Sequence, residues 1–189
     1  MTIAKRLQHI SASPTLAITA LVNKMKKEGK DVISFAAGEP DFDTPKHIKK
    51  AAINAINQGF TKYTATSGII ELKLAICDKF KKDNNLTYKP ENILVSNGAK
   101  QCLYNLIQAL VDPNDEVLIP IPYWVSYEEM VKLAGGKCVF IRPNKGLKIT
   151  ANQIEQSIGA KTKILILNSP SNPTGAVYDK KELGKLLGS

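Results

Sequence analysis

Two rhythms of apolar residues alternate along this chain, helical stripes at i, i+3 and i+4 spacing and short unbroken runs bounded by turn residues. The stretch 15–27 puts Leu16, Leu21, Val22 and Met25 on one helical face and stops at Gly29, which predicts an amphipathic helix. A short apolar run at 32–37 enters the loop GEPDFDTP. Thr44-Pro45 then opens a second helix with Ile48, Ala51, Ala52, Ala55 and Ile56 on one face and Gly59 as its C′ residue. A third helix carries Ile69, Leu72, Ile76 and Phe80 and ends in the polar stretch 81–85.

From Asn92 the pattern becomes strand, turn, helix. Residues 93–95 predict a short strand, 96–99 a turn, and Leu103, Leu106, Ile107 and Leu110 a helical stripe closed by Asp112-Pro113-Asn114-Asp115. A strand at 116–119, a helix at 126–133, the Gly135-Gly136 break and a strand at 137–141 repeat the unit. A helix at 151–158 with Thr150 as N-cap follows, then the all-apolar run 164–167, then a final helix whose start pairs Asp179 with Glu182 in capping-box spacing. Such βαβ alternation predicts an α/β fold with a largely parallel sheet, and a run apolar at every position predicts a strand buried on both faces.

Composition narrows the function classes. With 43% hydrophobic and 23% charged residues in 189, the chain is globular rather than disordered. The net charge of +9 comes almost wholly from lysine, Arg appearing only at Arg6 and Arg142. These lysines scatter along helix faces, as in Lys24-Lys26-Lys27 and Lys79-Lys81-Lys82, so a solvated surface is expected and not a nucleic-acid patch. Cys77, Cys102 and Cys138 are odd in number, lack C-x-x-C spacing and sit in apolar patterns, which points to reduced thiols in the cytoplasm. No apolar run approaches the roughly 18 residues of a membrane span, and the N-terminal stretch has no signal-peptide character.

Four loops hold residues that could carry chemistry. The SNGAK turn at 96–100 leads into a helix whose free N–H groups could hold a phosphate, although small residues there also suit a tight turn. The segment Ile119-Pro120-Ile121-Pro122-Tyr123-Trp124 presents the sole Trp on a stiff loop, either to stack on a planar ligand or to serve as a core or rim aromatic. The loop FAAGEPDFDTP has three carboxylates, Glu39, Asp41 and Asp43, which helix-start electrostatics explain better than a metal. Tyr63, in TKYTATSGI, is either a binding phenol or an ordinary loop tyrosine. A fifth loop, NSPSNPTG at 168–175, follows the apolar run directly, where α/β proteins place ligand contacts.

Taken in order, FAAGEPDFDTP, KYTATSGIIELK, VSNGAKQCLYNLIQAL, PYWVSYEEMVKLAGG and NSPSNPTG resemble the fold-type I pyridoxal-phosphate aminotransferases, most closely their bacterial aspartate aminotransferase branch. The resemblance covers essentially the whole chain. It implies a three-layer PLP-dependent transferase large domain with a mostly parallel sheet, here incomplete and preceded by an N-terminal arm and helix. The implied division is residues 1–30 for the arm and helix and 31–189 for the first part of the large domain. The reaction it implies moves an amino group between an L-amino acid, aspartate above all, and a 2-oxo acid, through pyridoxal phosphate.

By the same resemblance, Gly98, Ala99 and Lys100 grip the cofactor phosphate, Trp124 stacks on the pyridine ring, and Asn172 bonds its phenolic oxygen near the substrate α-carboxylate. Pro122 and Pro173 match prolines that are cis in relatives. Gly38 contacts the substrate carboxylate, and Tyr63 reaches the phosphate of a partner subunit, which implies a homodimer. Lys100 pairs with the distal carboxylate of an acidic substrate, with Thr15 as a second contact. Relatives carry the Schiff-base lysine, the aspartate that pairs with the pyridine nitrogen, a further tyrosine and the carboxylate-binding arginine beyond the NPTG loop. This chain ends at Ser189, so no catalytic residue is assigned in it and the chain alone is expected to be inactive, with uncovered apolar faces and a strand edge. The alternative is a non-catalytic PLP-binding or association module.

Overall fold

The computed structural model describes residues 2–8, 10–35 and 38–188, so Ala36 and Ala37 of the FAAGEPDFDTP loop lie outside the described residues. The chain divides into two compact units, Ser13–Asn97 on one hand and Met1–Ala12 with Gly98–Ser189 on the other.

The unit Ser13–Asn97 is helical: α1 (Pro14–Lys27), α2 (Lys46–Asn57) and α3 (Ile70–Asn84). Ser13 caps α1 by accepting from the Leu16 amide at 3.4 Å, and Pro14 occupies the first turn, where its missing N–H costs nothing. Gly59, at φ +82°, takes the left-handed conformation that closes α2. The stripes read from the sequence are present, yet no described residue of this unit is buried. On α2, Ile48, Ile53 and Ile56 remain 49%, 56% and 63% exposed, so its amphipathic face is left largely uncovered by the described residues. Residues 93–95 correct the expectation of a strand. Ile93 is extended at φ −108°, ψ 129°, and the Val95 amide donates to the Ser67 carbonyl at 3.0 Å, but among the described residues no neighbouring segment pairs with them in a ladder. An extended apolar run becomes a strand only when a second chain supplies alternating donors and acceptors.

The other unit holds the sheet. Its elements are α4 (Gly98–Leu110), β1 (Glu116–Pro120), α5 (Ser126–Ala134), β2 (Lys137–Ile141), α6 (Ala151–Ser157), β3 (Thr162–Leu165) and α7 (Lys180–Leu187). The three strands are parallel in the order β2-β1-β3, which makes β1 the central strand. Successive β1 side chains point to opposite faces. Val117 and Ile119 pack with Ile107 of α4 and with Tyr127, Met130 and Val131 of α5, whereas Leu118 packs with Ile149, Ile154 of α6, Tyr178 and Leu186 of α7. The result is a three-layer α/β unit, as expected for βαβ alternation.

Both foreseen caps form reciprocally: Thr150 accepts from the Gln153 amide at 3.4 Å, and Asp179 accepts from the Glu182 amide at 2.7 Å. Two boundaries differ from expectation. Helix α4 already begins at Gly98, inside the expected turn. Strand β3 begins and ends two residues earlier than the run 164–167, because a register shift opposite Glu116 and Val117 lets the ladder start at Thr162. Beyond it the Ile166 amide still donates to the Leu118 carbonyl at 3.0 Å before the chain turns away. Among the described residues no helix is long and apolar enough to cross a membrane.

At the turn between α5 and β2 there is no room for a side chain on Gly136, since a Cβ there would stand 2.6 Å from Val111 Cγ1 and 3.0 Å from Val131 Cγ1. Gly136→Ala is expected to destabilise the unit by about 1–3 kcal/mol through overpacking, read as a lower urea midpoint; an unchanged midpoint would contradict the tight packing of this corner.

Candidate functional site

The strand order creates a crevice. After β1 the chain turns to α5 on one face of the sheet, and after neighbouring β3 it turns to α7 on the other, so the two exits part at the carboxyl ends of adjacent strands. Pro122, Tyr123, Asn168, Ser171, Asn172 and Tyr178 line the gap. The loops that border it are those singled out by the sequence.

The loop after β3 is held from within and from below. Gly175 N donates to Ser171 O at 2.7 Å, Ser171 N to Ala176 O at 2.9 Å, and Ala176 N to Thr174 Oγ1 at 3.2 Å. Tyr178 anchors its far end, its amide donating to Ser169 Oγ at 3.0 Å and its hydroxyl accepting from the buried Ile149 amide at 2.8 Å. Burial of that ring pushes its phenol up. The peptide bonds before Pro122 and Pro173 are cis, and so is the one before Pro170. The side chain of Asn172 is exposed and has no hydrogen-bond partner among the described residues.

The loop after β1 carries Trp124, half-buried, with its ring edge-on to Tyr127 at 5.4 Å and 89°. Lys100 Nζ lies 4.9 Å from the centre of the Trp124 ring, so the first turn of α4 and this loop meet. Beside it, the Tyr123 ring stacks on Phe140 at 5.2 Å and 16°, and its hydroxyl donates to the Glu128 carboxylate. Lys132 Nζ sits 2.8 Å from Glu128 Oε1. Lys132 and then Tyr123 hold the Glu128 carboxyl below its ordinary range, whereas burial and that carboxylate raise the Tyr123 phenol far above its own.

At α4 the first amides have no intrahelical acceptor, as at any helix start. Gly98 begins the helix at φ +79°, with open space where a Cβ would stand. These amides, a flat indole and an unpartnered carboxamide match the needs of an anionic group on an aromatic ring bearing an oxygen.

The family profile for aminotransferases of class I and II matches residues 30–188. The chain belongs to this family. It is 53% identical over 188 residues to an aspartate/prephenate aminotransferase of Nitrosomonas europaea, covering 98% of this chain and 47% of that protein. It is 51% identical, again over 188 residues, to the aspartate aminotransferase of Bacillus subtilis, with 98% and 48% covered. Among solved structures, the Thermus thermophilus aspartate aminotransferase with maleate superposes with a TM-score of 0.95 at 45% identity, covering 98% of this chain and 49% of that one. The Rhizobium meliloti aspartate aminotransferase gives 0.93 at 47%, covering 100% and 48%. The chain thus spans about half the length of the relatives it matches.

Within this class I and II aminotransferase chain, the expected site residues divide between the units. Gly98, Ala99, Lys100, Trp124 and Asn172 belong to the sheet unit, where Lys100 meets Trp124 and Asn172 lines the crevice with Pro122 and Tyr123. Thr15, Gly38 and Tyr63 belong to Ser13–Asn97. There Thr15 stands in the first turn of α1, its carbonyl accepting from Thr19 Oγ1 at 2.9 Å, while Gly38 and Tyr63 are exposed. In the acidic loop, Asp43 accepts from the Thr44 amide at 2.7 Å and pairs with Lys49. Sequence reasoning missed Tyr178, Glu128 and Lys132. The i, i+4 spacing of Glu128 and Lys132 was a readable signal, whereas nothing local joins Tyr178 to Ile149.

Cys138, packed against the first core beside the Glu128 carbonyl, has its thiol pushed up to about 11 by burial and by the Glu128 charge. At pH 8 only about one thiol in a thousand is then ionised, so folded protein is expected to resist iodoacetamide at Cys138 and to react once unfolded; mass spectrometry showing rapid alkylation of the folded chain would contradict this environment.

Proposed function

We propose that this chain supplies the phosphate- and ring-holding surface of a pyridoxal-phosphate aminotransferase that transfers the amino group of an acidic L-amino acid, aspartate, to a 2-oxo acid. The observation that carries the reading is the crevice at the ends of β1 and β3, where the Trp124 loop and the Asn172 loop open on the same space. Aminotransferases of class I and II depend in general on pyridoxal phosphate. That cofactor, when bound, supplies an electron sink for the substrate carbanion.

The residues of this chain hold and orient. The amides of Gly98, Ala99 and Lys100 donate to the phosphate oxygens at the helix start, where the dipole favours a dianion. Trp124 offers its ring face. Asn172 donates to the ring oxygen, favouring its ionised form. The relative from Thermus thermophilus was solved with maleate, a dicarboxylate. Lys100, whose ammonium rests against Trp124, is the matching cation for a distal carboxylate here, with Thr15 beside it in role, and Gly38 contacts the α-carboxylate. We assign Tyr63, fully exposed, to the phosphate of a second subunit in a homodimer. All three cysteines are free thiols, in keeping with a cytoplasmic enzyme.

No lysine lines the crevice among the described residues, and we assign the covalent nucleophile to no residue of this chain. The exposed apolar faces of α1 and α2 favour a second reading, an association module that binds the cofactor without turnover.

Three measurements check this. Pyridoxal phosphate is expected to bind saturably to the isolated chain, with Trp124→Leu weakening it by about tenfold or more, the worth of one good aromatic contact; equal binding by the variant would remove Trp124 from the site. An assay with aspartate and 2-oxoglutarate is expected to show no turnover by the chain alone, and turnover would contradict the absence of a nucleophile. Borohydride reduction followed by mass spectrometry distinguishes a single labelled lysine, which would place that nucleophile in this chain, from scattered labelling of surface lysines.

A further inference from the structure

Trp124 lies on an irregular turn between Pro120 and Ser126, outside any strand ladder. Its own contacts are the Tyr127 amide donating to its carbonyl at 3.0 Å, the Tyr127 ring at its edge, Lys100 near the ring, and packing on the core that Ile107 and Val131 share. The residue next to it is fastened on two sides. Tyr123 stacks on Phe140 of β2 and donates its hydroxyl to Glu128 in the first turn of α5. Glu128 is in turn held by Lys132 one turn along, and Lys132 also stands 3.4 Å from Glu129. Glu129 accepts the Ser11 amide of the N-terminal arm at 3.2 Å.

From this arrangement we infer that Tyr123, Glu128 and Lys132 form a strut that positions Trp124 for ring stacking. Consecutive Cα atoms are 3.8 Å apart through a rigid peptide, so a displacement of Tyr123 is passed directly to Trp124. The hydroxyl-to-carboxylate bond is of the charge-assisted kind, stronger and more directional than a neutral one. Lys132, set against both Glu128 and Glu129, keeps the Glu128 acceptor ionised, which is the state the Tyr123 hydroxyl needs. Direct contact with the ligand is not part of the role of Glu128 or Lys132; they act through Tyr123. The inference rests on the reading of Trp124 as the ring platform.

The sole Trp makes the test specific, because all indole emission comes from this loop. Tyr123→Phe keeps the ring on Phe140 and removes only the hydroxyl; Lys132→Met loosens the far end of the strut and leaves Tyr123 intact. Each variant of the 189-residue chain is compared by acrylamide quenching of Trp124 without ligand, by equilibrium dialysis of pyridoxal 5′-phosphate, and by urea unfolding. The strut predicts that both variants raise the quenching constant and weaken cofactor binding by about three- to tenfold, the worth of one such bond. It also predicts that the combined variant is no worse than the stronger single, since both act through Glu128. A purely structural role would lower the urea midpoint while leaving folded-state quenching and binding unchanged, and that result, or additive losses, would overturn the strut. Trp124→Leu separates the two ideas. If it abolishes binding while Tyr123→Phe changes nothing, the platform stands and the strut falls. If binding survives Trp124→Leu, the platform reading falls, and unchanged quenching in Tyr123→Phe would sink the strut as well.

Discussion

The site depends on the burial of β1 from both faces. Val117 and Ile119 are fully buried among α4 and α5, Leu118 is 1% exposed among α6 and α7, and both backbone edges are taken by parallel neighbours. Each helical layer therefore needs the sheet between it and the other. The consequence at the end of β1 is geometric. Because β2 and β3 flank the same strand while their connecting helices lie on opposite faces, the chain exits diverge and leave a crevice bordered by irregular backbone.

Irregular backbone is what gives the loops their use. A strand or helix commits its amides to itself, whereas the NSPSNPTG loop leaves the Asn172 carboxamide exposed and the turn after β1 carries a half-buried indole. Their placement is secured by polar contacts, Tyr178 to Ile149 beneath one loop and Tyr123 to Glu128 beside the other. The unit Ser13–Asn97 is built differently. Its helices are well formed, but no described residue there is buried, so its stripes of Leu, Ile and Ala contribute little cohesion of their own.

Much of this was legible in the sequence. The stripe on α4, the Thr150 and Asp179 caps and the bounds of β2 follow from spacing alone, because each is decided by residues a few positions apart. Two of the loop motifs, PYWVSYEEMVKLAGG and NSPSNPTG, marked the two sides of the crevice. What could not be read depends on distant partners: residues 93–95 have the composition of a strand but no ladder partner among the described residues, and the start of β3 is moved by a register shift that only the facing strand determines. The same holds for Lys100, whose approach to the Trp124 ring is set by how α4 and α5 pack on β1.

The most direct test of the central claim, that one crevice at the ends of β1 and β3 receives pyridoxal phosphate, is a two-dimensional nitrogen-15 NMR titration of the chain with that compound. The account predicts saturable shifts confined to the backbone amides of Gly98, Ala99 and Lys100, the Trp124 indole N–H and the Asn172 carboxamide, with little change in α6 and α7. Shifts absent from these groups, or spread over the surface lysines without saturation, would contradict it.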